Sequence, residues 1–593
     1  MKSKGKIKTE WNLSQFYKSL DDSQIERDIA SAEKACKIFA KKYRKSSGYL
    51  KDEKALAKAL HDYEKLSDMP MSRAPMYLHL LLDTDSENQK ARALSNLVSQ
   101  RFQKLSNELV FFDVNLSKIS RNLQAKFLKS KKLLKYRYLL KKTFENSKFV
   151  LTEPEEKILT LKSLPSHGLW NDMVDKIINK QTVEHDGKQI PVSKASNIIK
   201  DLSLQKDRLV LNNKILEKYY QISDIAEAEI NAVVINKKIN DDLRGLKEAY
   251  DGTILGYENN KKSVLNLVKT VSDNFAVSQK FYKIKQKMLK LHKLYYCDRF
   301  APVGKTKKKV SFDQSYNILF KLFASIDPDF GNILKRFADN GQIDAHPKVG
   351  KKAGAYCSGE HKVPTFILLN HTDSFESLMT FAHEMGHGIH TEFSKTQPVF
   401  YERYSTSTAE VASTLFESFL FYSQLEELSE EEKIIALHDK IQDDIQTIFR
   451  QIACFNFEVE MHKTIRQKGN MSKEELGAAM NRHMKSYIGD VELSEKDGYF
   501  FVGWPHIRSF FYVYSYAFGQ LASKALYEKY KEDKSYIKEI KKFLSLGGSI
   551  SPEDIFKSIG VDVTKPDFWL KGIQSIESDI ALLESLVNKK SKK

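Results

Sequence analysis

Most of the chain repeats apolar residues at intervals of three and four positions, with polar breaks between the repeats and 13 prolines in 593 residues. This spacing places apolar side chains on one face of an α-helix. In the segment KSKKLLKYRYLLKK (129–142), leucine and tyrosine alternate with lysine at helical spacing. The pattern predicts a mainly helical protein whose helices bury an apolar face and expose a charged one.

Strand signals are few and lie in two regions. The segment TVEHDGKQIPV (182–192) has two short arms joined by Asp186 and Gly187, a dipeptide typical of hairpin turns. Between 343 and 370 the glycine-rich piece IDAHPKVGKKAGAYCSG precedes the apolar run KVPTFILLN. We expect this second region to form a small sheet whose edge another backbone can approach and pair with.

The length of the chain bears on its domain organisation. A chain of 593 residues is too long for one small hydrophobic core, so two lobes or domains are expected. The predicted hairpin near residue 190 is the best candidate boundary between them. It divides the chain into an N-terminal helical domain, 1–195, and a larger C-terminal domain, 196–593.

Composition and charge exclude several classes of function. The chain is 41% hydrophobic and 29% charged, and its net charge is +18. The excess is lysine spread over the whole chain, which favours solvated helix faces over a nucleic-acid groove. No apolar run approaches the roughly 18 to 20 residues of a membrane span, and the basic N-terminus lacks the apolar core of a signal peptide. We expect no nucleic-acid partner, no membrane association and a cytoplasmic location.

The cysteines limit how a metal could be held. Cys36, Cys297, Cys357 and Cys454 lie far apart and form no CxxC pair. This arrangement fits reduced thiols better than a disulfide framework or a zinc ribbon. Any bound metal must then be held by histidine and carboxylate side chains.

The segment FAHEMGHGIH (381–390) is the main candidate for such chemistry. His383 and His387 are four residues apart, so on a helix they project from one face and can share a metal, with Glu384 beside them. The preceding HTDSFESLMTF fits a helix that starts near Ser374. The alternative is a buried helix whose histidines bond to neighbouring backbone, and the motif alone does not exclude it.

Catalytic zinc usually has three protein ligands and one open position for water, so a third ligand is needed. Position 393, where another zinc-protease pattern has histidine, is Phe393. A carboxylate in the following segment YSTSTAEVASTLFESFLFY (404–422) is the remaining source. Ser407 or Thr408 can cap a helix there.

Glu410 would then lie in the first turns of that helix. Its neighbours include the small residues Ala409, Ala412 and Ser413. These leave room for a second helix to approach closely. Glu417, seven residues on, shares the face of Glu410 and suits a partner of a metal-bound histidine. We favour Glu410 as the ligand and keep Glu417 as the alternative, with Glu402 and Glu392 as remote candidates.

Four motifs occur in the order and at about the spacing of the oligoendopeptidase F family, relatives of thimet oligopeptidase, which the chain resembles. They are GKKAGAYCSG, FAHEMGHGIH, AEVAST and WPHIRSFFYVYSYAFG (504–519). The N-terminal TEWNLSQFY and LYYCDRFAPVG (294–304) also look like that family, so the resemblance covers nearly the whole chain. The segment 504–519 departs from the family, which often has a proline before the run FYVY.

The resemblance implies a zinc endopeptidase that acts on short peptides and holds one Zn²⁺ per chain. It implies a mainly α fold, a helix-rich two-lobed ellipsoid with a deep central channel, and we expect the small β-sheet to lie beside the HExxH helix. By the resemblance, His383, His387 and Glu410 match the zinc ligands. Glu384 matches the catalytic glutamate, the general base toward the attacking water.

The resemblance also implies roles for His506 and Tyr516. A tetrahedral oxyanion needs hydrogen-bond donors besides the metal. On a helix, Tyr512 and Tyr516 would share a face, whereas Tyr514 would point elsewhere, and Tyr512 is therefore a further candidate. Without the resemblance, such an aromatic stripe predicts core packing more often than catalysis.

Two alternatives remain open at the level of sequence. The same zinc site could serve an exopeptidase of dipeptidase or carboxypeptidase type, because a blocked channel end depends on loops that the sequence does not locate. A non-catalytic helical peptide-binding protein is the other, although the presence of Glu384 and of a third carboxylate argues against it. The oligomeric state, the cleavage preference and the substrate length limits stay undetermined.

Overall fold

The structure is a computed structural model that describes residues 7–69, 71–304 and 308–591. In this part of the chain 26 α-helices and two small β-sheets are formed, which confirms the mainly helical fold. The chain packs into two units of three stretches each. Unit 1 comprises Met1–Val150, Lys308–Ser423 and Asp533–Ile559, and unit 2 comprises Leu151–Lys307, Gln424–Glu532 and Gly560–Lys593.

The first stretch of unit 1 carries α1 (Ser23–Tyr43), α2 (Glu53–Ser67), α3 (Arg73–Thr84), α4 (Gln89–Ser117), α5 (Arg121–Lys129) and α6 (Arg137–Ser147). The first stretch of unit 2 carries α7 (Glu153–Ser163), α8 (Leu169–Asn179), α9 (Val192–Ile198), α10 (Gln205–Gln221), α11 (Ser223–Arg244), α12 (Asp251–Gly256), α13 (Lys261–Asp273) and α14 (Phe275–Leu289). Unit 1 continues with α15 (Phe312–Ile326), α16 (Pro328–Asn340), α17 (Phe375–Ser394) and α18 (Thr406–Leu425).

Unit 2 continues with α19 (Glu430–Asp444), α20 (Arg450–Lys468), α21 (Lys473–Ile488), α22 (Phe500–Gly503) and α23 (Tyr514–Glu532). A five-residue π-helical segment, Ile445–Phe449, joins α19 to α20. Unit 1 ends with α24 (Ile537–Ser545) and α25 (Pro552–Ser558), and unit 2 ends with α26 (Pro566–Ser591).

The helices of the first stretch of unit 1 bury one face each, as the apolar spacing predicts. Within 129–142, Leu133 and Leu140 are fully buried and Tyr136 is nearly so. The lysines between them are mostly exposed. The lysine-rich segment is therefore a solvated face over a buried stripe.

The predicted hairpin is present in unit 2. β1 (Thr182–His185) and β2 (Lys188–Pro191) pair antiparallel. Asp186 and Gly187 make the turn with φ values of 50° and 73°. Two successive left-handed residues match the right-handed twist of the flanking strands, which is why Asp-Gly is favoured there.

The second predicted strand region forms a three-stranded sheet in unit 1. β3 (Ile343–Asp344), β4 (Tyr356–Ser358) and β5 (Phe366–Leu368) lie in the order β3-β5-β4. β3 runs parallel and β4 antiparallel to the central β5, whose three residues are fully buried. β4 and β5 both pack against α17. The expected small sheet beside this helix is confirmed, and the glycine-rich piece supplies both of its edge strands, β3 and β4.

Other predictions at the scale of the whole chain have mixed outcomes. The boundaries of the two units fall at other positions than the predicted division into 1–195 and 196–593, which stays a prediction. The two-lobed ellipsoid with a central channel also stays a prediction. All four cysteines are free thiols. Within the described residues, none of the helices combines the length and the apolar character of a membrane span.

Candidate metal centre

The helix α17 begins where the sequence predicts. Ser374 is extended, and its hydroxyl accepts a hydrogen bond from the Ser377 backbone N–H at 3.1 Å, which caps the first turn. His383 and His387 follow one turn apart and project from the same side of the helix. Their ring centroids lie 4.9 Å apart.

The helix α18 begins slightly earlier than predicted. Its first residue is Thr406, so Ser407 and Thr408 lie inside its first turn and do not precede it. Ser405 precedes the helix, and its carbonyl oxygen accepts a hydrogen bond from the Thr408 backbone N–H at 3.0 Å. Glu410 still lies near the start of the helix, as predicted.

The two helices approach closely at Gly386 on α17. A Cβ atom at this position would lie 2.7 Å from Ser413 Cα and 3.1 Å from the Ala412 carbonyl oxygen. The small residues of α18 therefore allow the close approach that was expected of them. The motif alone does not predict that Gly386 is the point of closest approach. A glycine inside a helix lowers stability, however, and its presence there indicates a position where packing leaves no room for a side chain.

This approach brings Glu410 opposite both histidines. Glu410 Oε2 lies 3.7 Å from His383 Nε2 and 3.8 Å from His387 Nε2. Within the described residues, these three side chains are the one group of potential ligands whose donor atoms all lie within 4.8 Å of one another. Ligand bonds of about 2.0–2.1 Å in tetrahedral geometry put donor atoms roughly 3.3 Å apart, so the spacing needs little adjustment to hold zinc.

Glu417 contacts the other nitrogen of the first histidine. His383 Nδ1 donates a hydrogen bond to Glu417 Oε1 at 2.5 Å. This bond places a proton on Nδ1 and turns Nε2 toward Glu410, where Nε2 can bind a metal once it has lost its own proton. The geometry thus favours Glu410 over Glu417 as the third ligand.

The remote carboxylates have other partners. Glu402 Oε2 lies 2.6 Å from His361 Nδ1. Glu392 accepts a hydrogen bond from Lys395 at 2.8 Å and also pairs with Arg336. Neither belongs to the group of donor atoms around His383, so neither competes with Glu410.

Glu384 lies between the histidines in sequence and is only 6% exposed. Its Oε2 has no hydrogen-bond partner in the described structure. Burial and the nearby Glu410 and Glu417 carboxylates raise the pKa of Glu384 to about 7, against a lowering by His383. A buried carboxylate without a partner is costly unless a cation compensates it, so Glu384 and the three donors fit the surroundings of a divalent metal.

The two histidines differ in their affinity for protons. Burial lowers the pKa of His387 to about 3, and the charge on His383 adds to this. Burial also disfavours the charged form of His383, but the hydrogen bond and charge of Glu417 outweigh it and raise the pKa to about 9. In the metal-free protein His383 is therefore protonated at neutral pH, and a metal must displace that proton.

The other residues singled out from the sequence form a cluster in unit 2. His506 Nδ1 and the Tyr512 hydroxyl share a short hydrogen bond. The Tyr516 ring centroid lies 5.8 Å from that of Tyr512 and 6.0 Å from that of His506. Burial and a hydrogen bond with Tyr516 raise the pKa of Tyr512, while burial lowers that of His506. Both shifts favour the neutral forms of Tyr512 and His506.

The prediction that Tyr512 lies on a helix is wrong. α23 begins at Tyr514, and Tyr512 lies in the turn before it. The turn contains two residues with left-handed backbone, Phe510 and Phe511, which a helix cannot accommodate. Tyr514 points elsewhere, as expected: it is fully buried, and its hydroxyl accepts a hydrogen bond from Asn259 at 2.9 Å.

Comparison with known proteins gives a consistent result. Residues 211–575 match the model of peptidase family M3, and residues 116–180 match that of oligopeptidase F. An oligoendopeptidase F homolog of Borreliella burgdorferi is 26% identical over 566 residues, which is 94% of each chain. Oligopeptidase PepF of Bacillus subtilis is 25% identical over 607 residues, covering 99% of this chain and 88% of its own.

Solved structures share the fold. A structure from Chlamydophila abortus superposes with a TM-score of 0.86 at 23% identity and covers 98% of both chains. Oligoendopeptidase-F from Enterococcus faecium superposes with a TM-score of 0.69 at 19% identity and covers 96% of this chain and 99% of its own. The family model for M3 alone spans more than half of the chain.

Proposed function

The chain belongs to peptidase family M3 and is a metallopeptidase, and from this premise we propose that it is a zinc-dependent oligoendopeptidase that hydrolyses internal bonds of short unstructured peptides. The observation that carries the proposal is the group of His383, His387 and Glu410 next to the buried Glu384. In the proposed enzyme these three side chains hold one Zn²⁺ per chain.

The chemistry that zinc supplies in such a site is Lewis acidity, which polarises the scissile carbonyl and acidifies a bound water. Glu384 acts as general base: it accepts the proton of the attacking water and passes it to the leaving amine. A pKa near neutrality, which its burial provides, suits a group that must both accept and release a proton. Glu417 keeps His383 in the tautomer that leaves Nε2 free.

We assign His506 and Tyr516 as hydrogen-bond donors to the oxyanion, with Tyr512 as the residue that orients His506. The support is the resemblance of 504–519 to the family, together with the short hydrogen bond between His506 and Tyr512. A neutral tyrosine hydroxyl can donate to a developing negative charge without itself carrying one.

The experiment is digestion of defined peptides of roughly 5 to 30 residues, with the product masses recorded. The proposal predicts cleavage at internal bonds, loss of cleavage on treatment with a chelator, and recovery on adding about one zinc per chain. Release of dipeptides or single residues from one end, at every length, would identify an exopeptidase with the same site. No cleavage of any peptide in the presence of zinc would refute the proposal.

A further inference from the structure

The segment between His506 and α23 has an uncommon backbone. Phe510 and Phe511 have φ values of 51° and 62°. Bulky residues rarely adopt this left-handed conformation, and two in succession persist only when the surroundings hold them in place. No glycine occurs between His506 and Tyr516 to ease the turn.

Glu458, on α20, is one such support. Its Oε2 accepts a hydrogen bond from the Phe511 backbone N–H at 2.6 Å. The side chain is fully buried, and Oε1 has no hydrogen-bond partner in the described structure. Burial raises the pKa of Glu458 to about 8, against smaller lowering effects of the Phe511 N–H and Lys237. At neutral pH the carboxyl group is therefore mostly protonated and places little charge beneath the turn.

Two further side chains restrain the same turn. The Thr253 hydroxyl donates a hydrogen bond to the Phe510 carbonyl oxygen at 2.9 Å. His462 lies one helical turn after Glu458, and its ring centroid is 5.4 Å from that of Phe510 and 4.7 Å from that of Phe511. Thr253 thus restrains the backbone of the turn, and His462 packs against the rings of Phe510 and Phe511.

The chain before the turn is also anchored. Arg508 is buried and forms a bidentate pair with Glu229, at 2.8 Å from Nε to Oε1 and 2.7 Å from Nη2 to Oε2. Because Arg508 is fixed, the conformation of the next residues decides where Tyr512 lies relative to His506. The hydrogen bond between His506 and Tyr512 closes the loop around the left-handed pair.

We propose that Glu458 is a positioning residue: its hydrogen bond to the Phe511 N–H holds the left-handed turn that brings Tyr512 to His506. Its consequence for catalysis rests on the proposed function, in which the cluster of His506, Tyr512 and Tyr516 serves the reaction. The structural part of the proposal, that this hydrogen bond is needed to hold the turn alongside the contacts of Thr253 and His462, does not depend on the proposed function.

The first experiment compares Glu458→Gln with Glu458→Met. Glutamine keeps an oxygen that can accept from the Phe511 N–H, whereas methionine has a similar size and no strong acceptor. Glu458→Met should lower kcat about tenfold with KM changed less than about twofold, and Glu458→Gln should stay within about twofold of the wild type. Glu460→Met is the matched control, because Glu460 lies on the same helix and pairs with Arg482 and His483.

The second experiment asks whether Glu458 acts through Tyr512. In a Tyr512→Phe background the hydrogen bond to His506 is already lost. Glu458→Met should then lower kcat further by less than about twofold. An equal, roughly tenfold loss in both backgrounds would overturn the proposal, since the effect would not pass through Tyr512. Loss of activity in Glu458→Gln as large as in Glu458→Met would overturn it too.

The third experiment does not depend on activity. Hydrogen exchange of the full chain should be faster in residues 509–513 for Glu458→Met than for the wild type or Glu458→Gln, with α17 unchanged. Unchanged exchange in this segment would overturn the positioning role even if the protein hydrolyses peptides. Faster exchange in a protein that cleaves no peptide would support the role of Glu458 in holding the turn and would refute the proposed function. If Glu458→Met does not fold, Thr253→Val removes the other hydrogen bond and should give the same local increase.

Discussion

His383 Nδ1 lies 2.5 Å from Glu417 Oε1, and this contact orients the imidazole so that Nε2 is the nitrogen on the side of Glu410. The two carboxylates on α18 therefore have different positions around one histidine. Glu410 Oε2 is close to the Nε2 atoms of both His383 and His387, whereas Glu417 is hydrogen-bonded to Nδ1 of His383.

The two carboxylates should differ in their effect on metal binding. Glu410→Gln removes a charged donor and should abolish stable zinc binding, because a third protein ligand is lost. Glu417→Gln should weaken zinc binding by about 10- to 100-fold, because the ligand is kept and only its orientation suffers. Competition with a chelator measures both. Glu376→Gln, an exposed residue of α17, is the control, and wild-type affinity in Glu410→Gln would contradict the assignment of the ligand.

Folding stability should depend on pH through Glu458. Its pKa is about 8 in the folded protein against an ordinary value of 4.5, so between these pH values the folded state keeps a proton that the unfolded state releases. Stability that is fully present below about pH 4.5 is lost as pH rises to 8, at about 1.4 kcal/mol per pH unit. Urea unfolding of the wild type and Glu458→Gln at several pH values checks this. The stability of the wild type relative to the variant should fall with rising pH, and parallel curves would contradict the shift.

Tyrosine substitutions in unit 2 should distinguish the hydroxyl group that takes part in catalysis from one that only stabilises the fold. Tyr516→Phe should lower kcat by about 100-fold if the hydroxyl donates to the oxyanion. Tyr514→Phe loses only the hydrogen bond to Asn259 and is the control. Both variants should keep wild-type zinc content, which elemental analysis measures. Equal kinetics of the two variants would remove Tyr516 from the mechanism.

Peptides should be cleaved and folded proteins spared. We expect the edge strand β4 to pair with an extended substrate backbone, which would make cleavage tolerant of side chains. A folded protein would first have to unfold, at a cost of about 5 to 15 kcal/mol. The measurement compares a stable folded protein with a peptide of roughly 6 to 20 residues copied from one of its exposed loops. Similar cleavage rates for both would indicate a general protease.

Local sequence patterns predicted those structural features that depend only on residues close together in the chain. The hairpin at Asp186 and Gly187 and the helix start at Ser374 follow from turn and capping preferences, and both are confirmed. The group of His383, His387 and Glu410 was predicted because helical spacing fixes the two histidines and small residues mark where α18 approaches.

The position of Tyr512 was not predictable in the same way. The left-handed backbone at Phe510 and Phe511 is held by Glu458, which lies 53 residues away in sequence from Phe511. A helical pattern in 504–519 carries no information about such a distant contact. The start of α18 at Thr406 was missed for a smaller reason, because several Ser and Thr residues in a row offer competing caps.

The most direct test of the zinc peptidase is to measure metal content and turnover on the same sample of Glu384→Gln. Its side chain is not one of the three donors, so the variant should bind about one zinc per chain, as the wild type should. Because the attacking water has no proton acceptor, turnover of an internally cleaved peptide should fall by several orders of magnitude. Near-wild-type turnover in a zinc-loaded Glu384→Gln sample would contradict the mechanism.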